Sequence, residues 1–264
     1  MGKIKGGGFL LRRLFSKVFF ILTVACIWEA VKAIGGYSDL LLPGVMSILR
    51  SLWLERIQIF HMTLFSLQII GIGLLVAIVL AICATILAFS GRIFSEIITD
   101  VLAILHPLPG IAILPIAILW FGIGTKSILF VIIFSAVWPL INHFYTGFRS
   151  IPANQLEVGR NLGLSGLKLG RDIMLPASFP HILGGIRTGW ARAWQASVAA
   201  ELVFGAAGGN GGLGWFLYKK RFMMETPGVF AGMLVIVLIG IAVEYIVFTW
   251  VEINTVRKWK TIIN

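Results

Sequence analysis

Charge is scarce in this sequence. Only 12% of its 264 residues are charged, and acidic residues are the scarcest, with 11 aspartates and glutamates against 22 lysines and arginines. A chain that is 58% apolar, with a mean hydropathy of +0.96, has too few polar side chains to cover a water-soluble globule. The composition therefore excludes a soluble globular domain and indicates a membrane protein.

Cysteine is also rare, and signatures of a built-in catalytic centre are missing. Cys26 and Cys83 lie in apolar runs without disulfide or zinc spacing, so we expect both to be packing residues. The sequence contains no GxxxxGK[ST], no GxSxG and no HExxH, and its histidines are not at metal-ligand spacing. GNGGLG at 209–214 matches GxGxxG but lacks the acidic partner of a dinucleotide site, and we interpret it as a flexible or gating loop. We predict no catalytic residue, no metal ligand and no cofactor in this chain.

Long apolar runs are what the sequence has instead. A bilayer core of about 30 Å takes roughly 20 apolar residues as helix, whereas the strands of membrane barrels are short and alternating. Six long, continuous runs are present: Val18 to Ile34, Met62 to Phe89, Ile97 to Leu119, Ile128 to Phe148, His181 to Ala207 and Val229 to Val251. We predict an all-α polytopic membrane protein with about six transmembrane helices. Its parts are an N-terminal segment 1–17, a membrane domain 18–251 and a C-terminal tail 252–264.

The net charge of +11 indicates membrane orientation better than nucleic acid binding, because the basic residues cluster at the ends of the apolar runs. If the N-terminus is cytoplasmic, cytoplasmic segments carry thirteen lysines and arginines, and the outer loops carry six: Arg50, Arg56, Lys126, Lys219, Lys220 and Arg221. This bias predicts that both termini are cytoplasmic, although the cluster 219–221 opposes it. A signal peptide is the alternative for the N-terminus, but its apolar run is long and no small-x-small cleavage site ends it.

One polar segment, 149–180, separates the fourth and fifth runs and must lie on an aqueous face. Pro152 suits a first helical turn and Gly163 a left-handed helix end. Ser165 suits a second N-cap, and Pro176 is expected to end the helix that begins there. We predict two short helices joined by a tight turn, with glycines that allow another backbone or a partner surface to approach. Docking and a plain surface location remain alternatives on spacing alone.

The stretch from Glu157 to Pro176 resembles the EAA loop of permease subunits in binding-protein-dependent ABC importers. That motif reads Glu-Ala-Ala, three residues, Gly, nine residues, then Ile-x-Leu-Pro, and this chain has every fixed residue at the same offset except that Val158 and Gly159 replace the alanines. In that family the loop is a coupling helix seated in a groove of a cytoplasmic ATPase. The resemblance implies these ATPase-coupling residues: Glu157, Gly159, Gly163, Ile173, Leu175 and Pro176.

The resemblance covers nearly the whole chain from about Leu42. Within the family, the chain is most similar to the branch that handles nitrate, sulfonates and taurine. The resemblance is carried by 108–127 (LPGIAILPIAILWFGIGTKS), by Trp138-Pro139 and by 198–217 (VAAELVFGAAGGNGGLGWFL). It implies the MetI-like permease fold in a bacterial plasma (inner) membrane and a translocation pathway for a small, anionic solute. The implied partners are a second copy, two cytoplasmic ABC ATPases that bind ATP and Mg, an extracytoplasmic binding protein and membrane lipid, with no nucleic acid.

The fifth apolar run has three faces at helical spacing. Gly185, Gly189, Ala193, Ala196 and Ala200 form a small-residue stripe suited to close helix packing. The other two faces are aromatic or polar. Ionisable groups within a span usually face a protein interior or a water-filled cavity, and the resemblance places an acidic residue before the glycine-rich segment. The pathway or gate candidates are Glu201, Trp194, Ser197, Arg192 and Gln195, with Asn142 from the fourth run. A buried structural ion pair is the alternative for Arg192 and Glu201.

Three classes of function suit a polytopic helical chain of this kind. A permease subunit of an ATP-driven importer is favoured, and it is a transport subunit and not an enzyme. An ion-coupled secondary transporter is the alternative, but it would need intramembrane carboxylates and usually internal repeats, whereas only Glu201 and Glu244 lie deep in predicted spans. An intramembrane enzyme would need a nucleophile and base or a metal cluster, for which the sequence has no pattern.

Overall fold

The computed structural model describes residues 6–204 and 211–255, and only the backbone of residues 6–18, 20 and 21. The described residues are almost entirely helical and contain no strand, as predicted. The α-helices are α1 (Gly6–Gly35), α2 (Val45–Leu54), α3 (Arg56–Phe89), α4 (Arg92–Leu105), α5 (Leu114–Phe121), α6 (Thr125–Arg149), α7 (Ala153–Asn161), α8 (Gly166–Leu169), α9 (Leu175–Phe204), α10 (Leu213–Phe222), α11 (Thr226–Ala242) and α12 (Thr249–Asn254).

Among the described residues, three helices are long and apolar enough to cross a membrane: Arg56–Phe89, Thr125–Arg149 and Thr226–Asn254. The last of these includes a π-helical segment at Val243–Phe248. Helices α1 and α9 have 30 residues each, or about 45 Å, which also exceeds a core of about 30 Å. Helix α9 carries more polar groups than a lipid-facing span tolerates. It can do so because it lies in the centre of the bundle against α6, α3 and α10.

The third predicted span, Ile97 to Leu119, is not one straight helix. Helix α4 ends at Leu105, and a 3-10 turn at Gly110–Ile113 leads into α5 after a bend of 93°. Proline has no N–H and cannot continue a helical ladder, so Pro107 and Pro109 explain the break. The pair α4 and α5 counts as a fourth crossing if it is taken as one broken span.

The small-residue stripe of α9 packs against α6, as its spacing predicted. A Cβ atom on Gly185 would lie 2.8 Å from the Cβ of His143, and one on Gly189 would lie 3.0 Å from the Cγ of Leu140. All members of the stripe are buried. The glycines therefore let the two helices approach so closely that α6 and α9 form the core of the fold.

The cysteines differ from expectation. Cys26 and Cys83 are exposed on the outer surfaces of α1 and α3 and are not packing residues. Residues 1–5, 205–210 and 256–264 lie outside the described residues, so Gly209 and Asn210 of the GNGGLG segment and several basic residues of both termini are not described.

One member of the basic cluster at 219–221, Lys220, has a structural explanation. Lys220 is buried, and its Nζ lies 2.5 Å from carboxylate oxygens of both Glu55 and Glu225. Burial opposes its charge, but Glu225 and Glu55 outweigh that effect and raise the pKa of Lys220. This lysine therefore ties α10 to the starts of α3 and α11, and its charge is compensated inside the protein.

Candidate functional site: a polar elbow, a central cavity and a buried carboxylate

The polar segment forms an elbow, by which we mean residues 153–174. Helix α7 ends in the predicted left-handed turn: Gly163 has a φ of +78°, and Leu164 donates its N–H to the carbonyl of Gly159 over 3.0 Å. Ser165 then precedes α8 with extended backbone angles. The first short helix and the tight turn are therefore confirmed, whereas the second helix is not short, because α8 continues directly into the helical backbone that follows it. Gly163 is required at the turn because a residue with a side chain rarely adopts this conformation.

The elbow is held closed by its own residues. A Cβ on Gly159, which is buried, would lie 2.6 Å from the Cδ1 of Leu169 and 3.1 Å from the Cγ1 of Ile173. The missing side chain of Gly159 therefore allows other residues of the same chain to approach it, which is one of the two uses predicted for these glycines. Glu157 is exposed on α7.

Pro176 does not stop the helix, contrary to the prediction. It lies at the second position of α9, immediately after a π-helical turn at Gly170–Met174. A proline ring clashes with the carbonyl four residues earlier and donates no hydrogen bond, and a widened turn relieves both conflicts. Helical backbone consequently runs without interruption from Gly166 to Phe204, about 58 Å at roughly 1.5 Å per residue.

The tip of the elbow is apolar and exposed. Leu167 is 94% exposed, Leu162 72% and Val158 56%. Large apolar side chains grouped on an aqueous loop are typical of an interaction surface. Sequence reasoning noted Val158 only as the replacement of a motif alanine and missed Leu162 and Leu167, although an apolar residue inside a polar segment was the available signal.

A central cavity of about 180 Å³ lies where the break between α4 and α5 meets α6 and α9. It is lined by His106, Leu108, Pro109, Gly110, Ile111, Ser135, Trp138, Pro139, Arg192, Gln195, Ala196 and Ala199. We call it the break cavity. The 3-10 turn touches α6 closely, since a Cβ on Gly110 would overlap the Oγ of Ser135. Broken helices with proline-freed backbone groups are typical of binding sites inside membrane proteins.

The break cavity is rich in hydrogen-bond donors. Arg192 and Gln195, two predicted pathway residues, both line it, and both are exposed on α9. The buried indole N–H of Trp138, also in the lining, has no hydrogen-bond partner among the described residues. No aspartate or glutamate of the described residues lines the cavity. A small site with a guanidinium, unused donors and no carboxylate favours an anion or a polar acceptor group.

Glu201 lies elsewhere, at the far end of α9, where it is fully buried. Its Oε2 accepts the N–H of Gly214 over 2.8 Å, at the start of α10, and Ser66 of α3 donates to Oε1 over 2.9 Å. Ser197 donates to the same oxygen over 3.2 Å. The hydroxyl oxygen of Ser66 in turn accepts the N–H of Leu213 over 2.9 Å. A carboxylate at a helix N-terminus satisfies donors that lack helical partners, so this cluster, the Glu201 cap, fastens α10 to α3 and α9.

The remaining predicted pathway residues do not join the break cavity. Trp194 is buried and stacks on Trp190 with ring centroids 5.8 Å apart. Ser197 belongs to the Glu201 cap. Asn142 is partly buried on α6, where its carbonyl accepts the hydroxyl of Thr146 over 2.6 Å. Of the six predicted residues, Arg192 and Gln195 therefore line the break cavity, Glu201 and Ser197 form part of the Glu201 cap, and Trp194 and Asn142 belong to neither.

The second carboxylate of the spans is also engaged. Glu244 lies in the π-helical segment after α11, and its Oε1 is 2.6 Å from the Nε of Arg187 on α9, although the two are not aligned as a hydrogen bond. An ion pair at this depth compensates both charges. Neither carboxylate considered for ion coupling is therefore unpartnered.

Comparison with known proteins agrees with this architecture. Residues 69–257 match the family model described as binding-protein-dependent transport system inner membrane component. A putative ABC transporter permease of Methanocaldococcus jannaschii is 28% identical over 88% of this chain and 88% of its own length. A putative aliphatic sulfonates transport permease of Bacillus subtilis is 31% identical (82% and 78%), and a nitrate import permease of Synechococcus elongatus is 27% identical (85% and 84%).

The chain therefore belongs to the family of inner-membrane components of binding-protein-dependent transport systems. It is a multi-pass permease subunit of an ABC importer, with relatives in the nitrate and sulfonate branch, and not an enzyme. This membership decides between the two transport classes and removes the ion-coupled alternative. The family also implies ATPase and binding-protein partners in general.

Proposed function

We propose that this permease subunit carries a small anion through the break cavity and that α9 links the cavity to a partner ATPase. The observation that carries the proposal is the continuous helix from Gly166 to Phe204. One end belongs to the elbow, the middle bears Arg192 in the break cavity, and the other end bears Glu201. A packed helix of this kind moves as one body, so displacement at the elbow reaches both inner sites.

The proposed assembly has two copies of this chain, two ABC ATPases that bind ATP and Mg, and an extracytoplasmic binding protein. The exposed polar face of α9 supports the second copy. Arg192 and Gln195 are exposed at mid-helix, and polar groups at that depth are costly against lipid. Two such faces opposite each other would enclose a shared aqueous path. The termini and the elbow lie on the cytoplasmic side in this arrangement, and the start of α3 lies on the outer side.

The anionic solute is supported by the lining of the break cavity and by the names of two relatives. Arg192 supplies the cation, and Trp138 supplies a donor that no described residue uses. The relatives named for sulfonate and nitrate transport both carry anions. We propose that the transported solute is a small oxyanion similar to these, such as nitrate, taurine or another sulfonate.

Replacing Arg192 tests the proposal directly. In proteoliposomes that contain the assembled importer, Arg192→Gln is expected to lower ATP-driven nitrate or sulfonate uptake by about tenfold or more, because a hydrogen bond to a charged group contributes roughly 1.5–3 kcal/mol. Arg192→Lys keeps the charge and is expected to retain more uptake than Gln. Trp138→Phe keeps an aromatic ring and removes the N–H, so a smaller loss is expected.

The control is an uncharged pyrimidine offered with the same assembly. Equal uptake of nitrate by wild type and Arg192→Gln would remove Arg192 from the path. Uptake of the uncharged solute in preference to both anions would contradict the proposed substrate class while leaving the importer role intact.

Glu201→Gln separates gating from capping. Glutamine keeps an acceptor for the N–H of Gly214 but removes the charge, so the protein should fold and assemble with its ATPase. We expect impaired uptake, measured as initial rate, with stable assembly measured by co-purification. Full uptake would leave Glu201 a structural cap without a role in the gate.

A further inference from the structure

Of the six predicted outer basic residues, five form no ion pair with any described residue, and two of these five, Arg50 and Arg56, lie close together in the sequence. The charge of Lys220 is compensated by two ion pairs within the protein. Arg50 on α2 and Arg56 at the start of α3, in contrast, form no ion pair with any described residue. Both side chains are exposed. Arginines on the outer side oppose the usual distribution of charge in membrane proteins, so an anionic partner at this position would explain them.

An apolar groove opens next to Arg56, and Arg50 lies one helical turn before Trp53, which also lines the groove. The groove lies between α2, α3 and α11 and is lined by Leu49, Leu52, Trp53, Arg56, Ile59, Phe60, Thr63, Val235 and Ile239. Arg56 is the charged residue of this lining. Its guanidinium stacks over the ring of Trp53 at 4.5 Å and donates one N–H to the carbonyl of Trp53 over 2.7 Å. The guanidinium has five N–H donors, so others remain for an anion.

The groove runs parallel to the chains of a lipid. Helix α3 has 34 residues, about 51 Å, and overshoots a hydrocarbon core of about 30 Å, so its first turn lies at the level of the headgroups. Thr63 is two turns deeper, about 10 Å, and Val235 on α11 lies about 13 Å from the start of that helix. The cation is therefore at headgroup depth and the apolar walls are at acyl-chain depth. Trp53 is 67% exposed, as is typical of the aromatic belt at the interface.

We infer that this groove binds an anionic phospholipid of the outer leaflet, with its phosphate on Arg56 and Arg50 and one acyl chain along Ile59 and Val235. The inference rests on the proposed orientation of the chain and not on the identity of the solute. A planar guanidinium pairs with a phosphate through two parallel hydrogen bonds. The bound lipid would hold α2 against α11 at the outer end of the bundle, where α10 is also anchored.

Native mass spectrometry of the assembled importer, purified from nanodiscs of phosphatidylglycerol or phosphatidylcholine, tests this site. We expect wild type to retain phosphatidylglycerol in preference to phosphatidylcholine. The double variant Arg50→Gln/Arg56→Gln should lose retention by roughly twentyfold, since each arginine near an anionic surface contributes about a factor of five. Arg92→Gln is the control, because Arg92 is exposed at the start of α4, just beyond the opposite end of α3. Thr63→Trp should displace the lipid by filling the groove.

Three results would overturn the inference. They are equal retention of the two lipids by wild type, unchanged phosphatidylglycerol retention in the double variant, and a disulfide between two copies through Phe60→Cys in a Cys26→Ser/Cys83→Ser background. The last would make the groove a contact between subunits. Because the readout is bound lipid, a failed solute assignment leaves it unaffected.

Discussion

Leu167→Glu is expected to abolish ATP hydrolysis that depends on the binding protein while leaving the permease folded. Leu167 is 94% exposed at the tip of the elbow, so the substitution removes no packing within the chain. A charge placed in the apolar groove of an ATPase would be unpaired, and loss of a central interface residue costs about 2 kcal/mol or more, which is roughly thirtyfold in assembly. Pull-down of the ATPase and stimulated phosphate release measure the effect.

Leu167→Met is the matched control, because it keeps an apolar side chain of similar size and should retain assembly. Asn154→Glu adds the same charge at an exposed position at the start of the elbow. Wild-type hydrolysis by Leu167→Glu would show that the tip does not contact the ATPase. Loss in Asn154→Glu alone would move the contact to the start of α7.

Gly214→Ala is expected to destabilise the protein by about 3 kcal/mol and to abolish uptake. The new Cβ would overlap the carbonyl oxygen of Val198 and lie 2.6 Å from the Cβ of Glu201, and neither atom is the end of a flexible side chain. Helix α10 must move, and it then loses the hydrogen bonds of the Glu201 cap as well. Two measurements check this: the thermal midpoint of unfolding, followed by size-exclusion chromatography of heated samples, and the uptake of solute.

Gly240→Ala serves as the control for this change. A Cβ there meets nothing within 4 Å, and alanine is the better helix former, so the midpoint should stay or rise. An unchanged midpoint in Gly214→Ala would mean that α10 tolerates displacement and that the cap does not hold the fold together.

Local features of the fold were predictable from the sequence because neighbouring residues determine them. The left-handed turn at Gly163 follows from backbone sterics, and the small-residue stripe of α9 follows from helical periodicity. The sequence also predicted the pathway pair Arg192 and Gln195, which share the break cavity. Whether they contact the solute, and whether Glu157 contacts an ATPase, remain predictions.

Features that depend on distant residues were missed. Ser66 and Glu201 are 135 positions apart, and no local pattern in either segment indicates that they meet. The same is true of Lys220 and Glu55, which are 165 apart. Pro176 misled for a different reason: the rule that proline ends a helix neglects a widened turn directly before it, which removes the steric conflict.

The continuous helical backbone from Gly166 to Phe204 is expected to couple solute transport tightly to ATP hydrolysis. If the helix moves as one body, as proposed, the two membrane faces of the importer do not change independently of the ATPase. Two rates should therefore be low: solute leakage in the absence of nucleotide, and ATP hydrolysis in the absence of delivered solute. Both rates should rise together when glycines are inserted into this helix near Thr188.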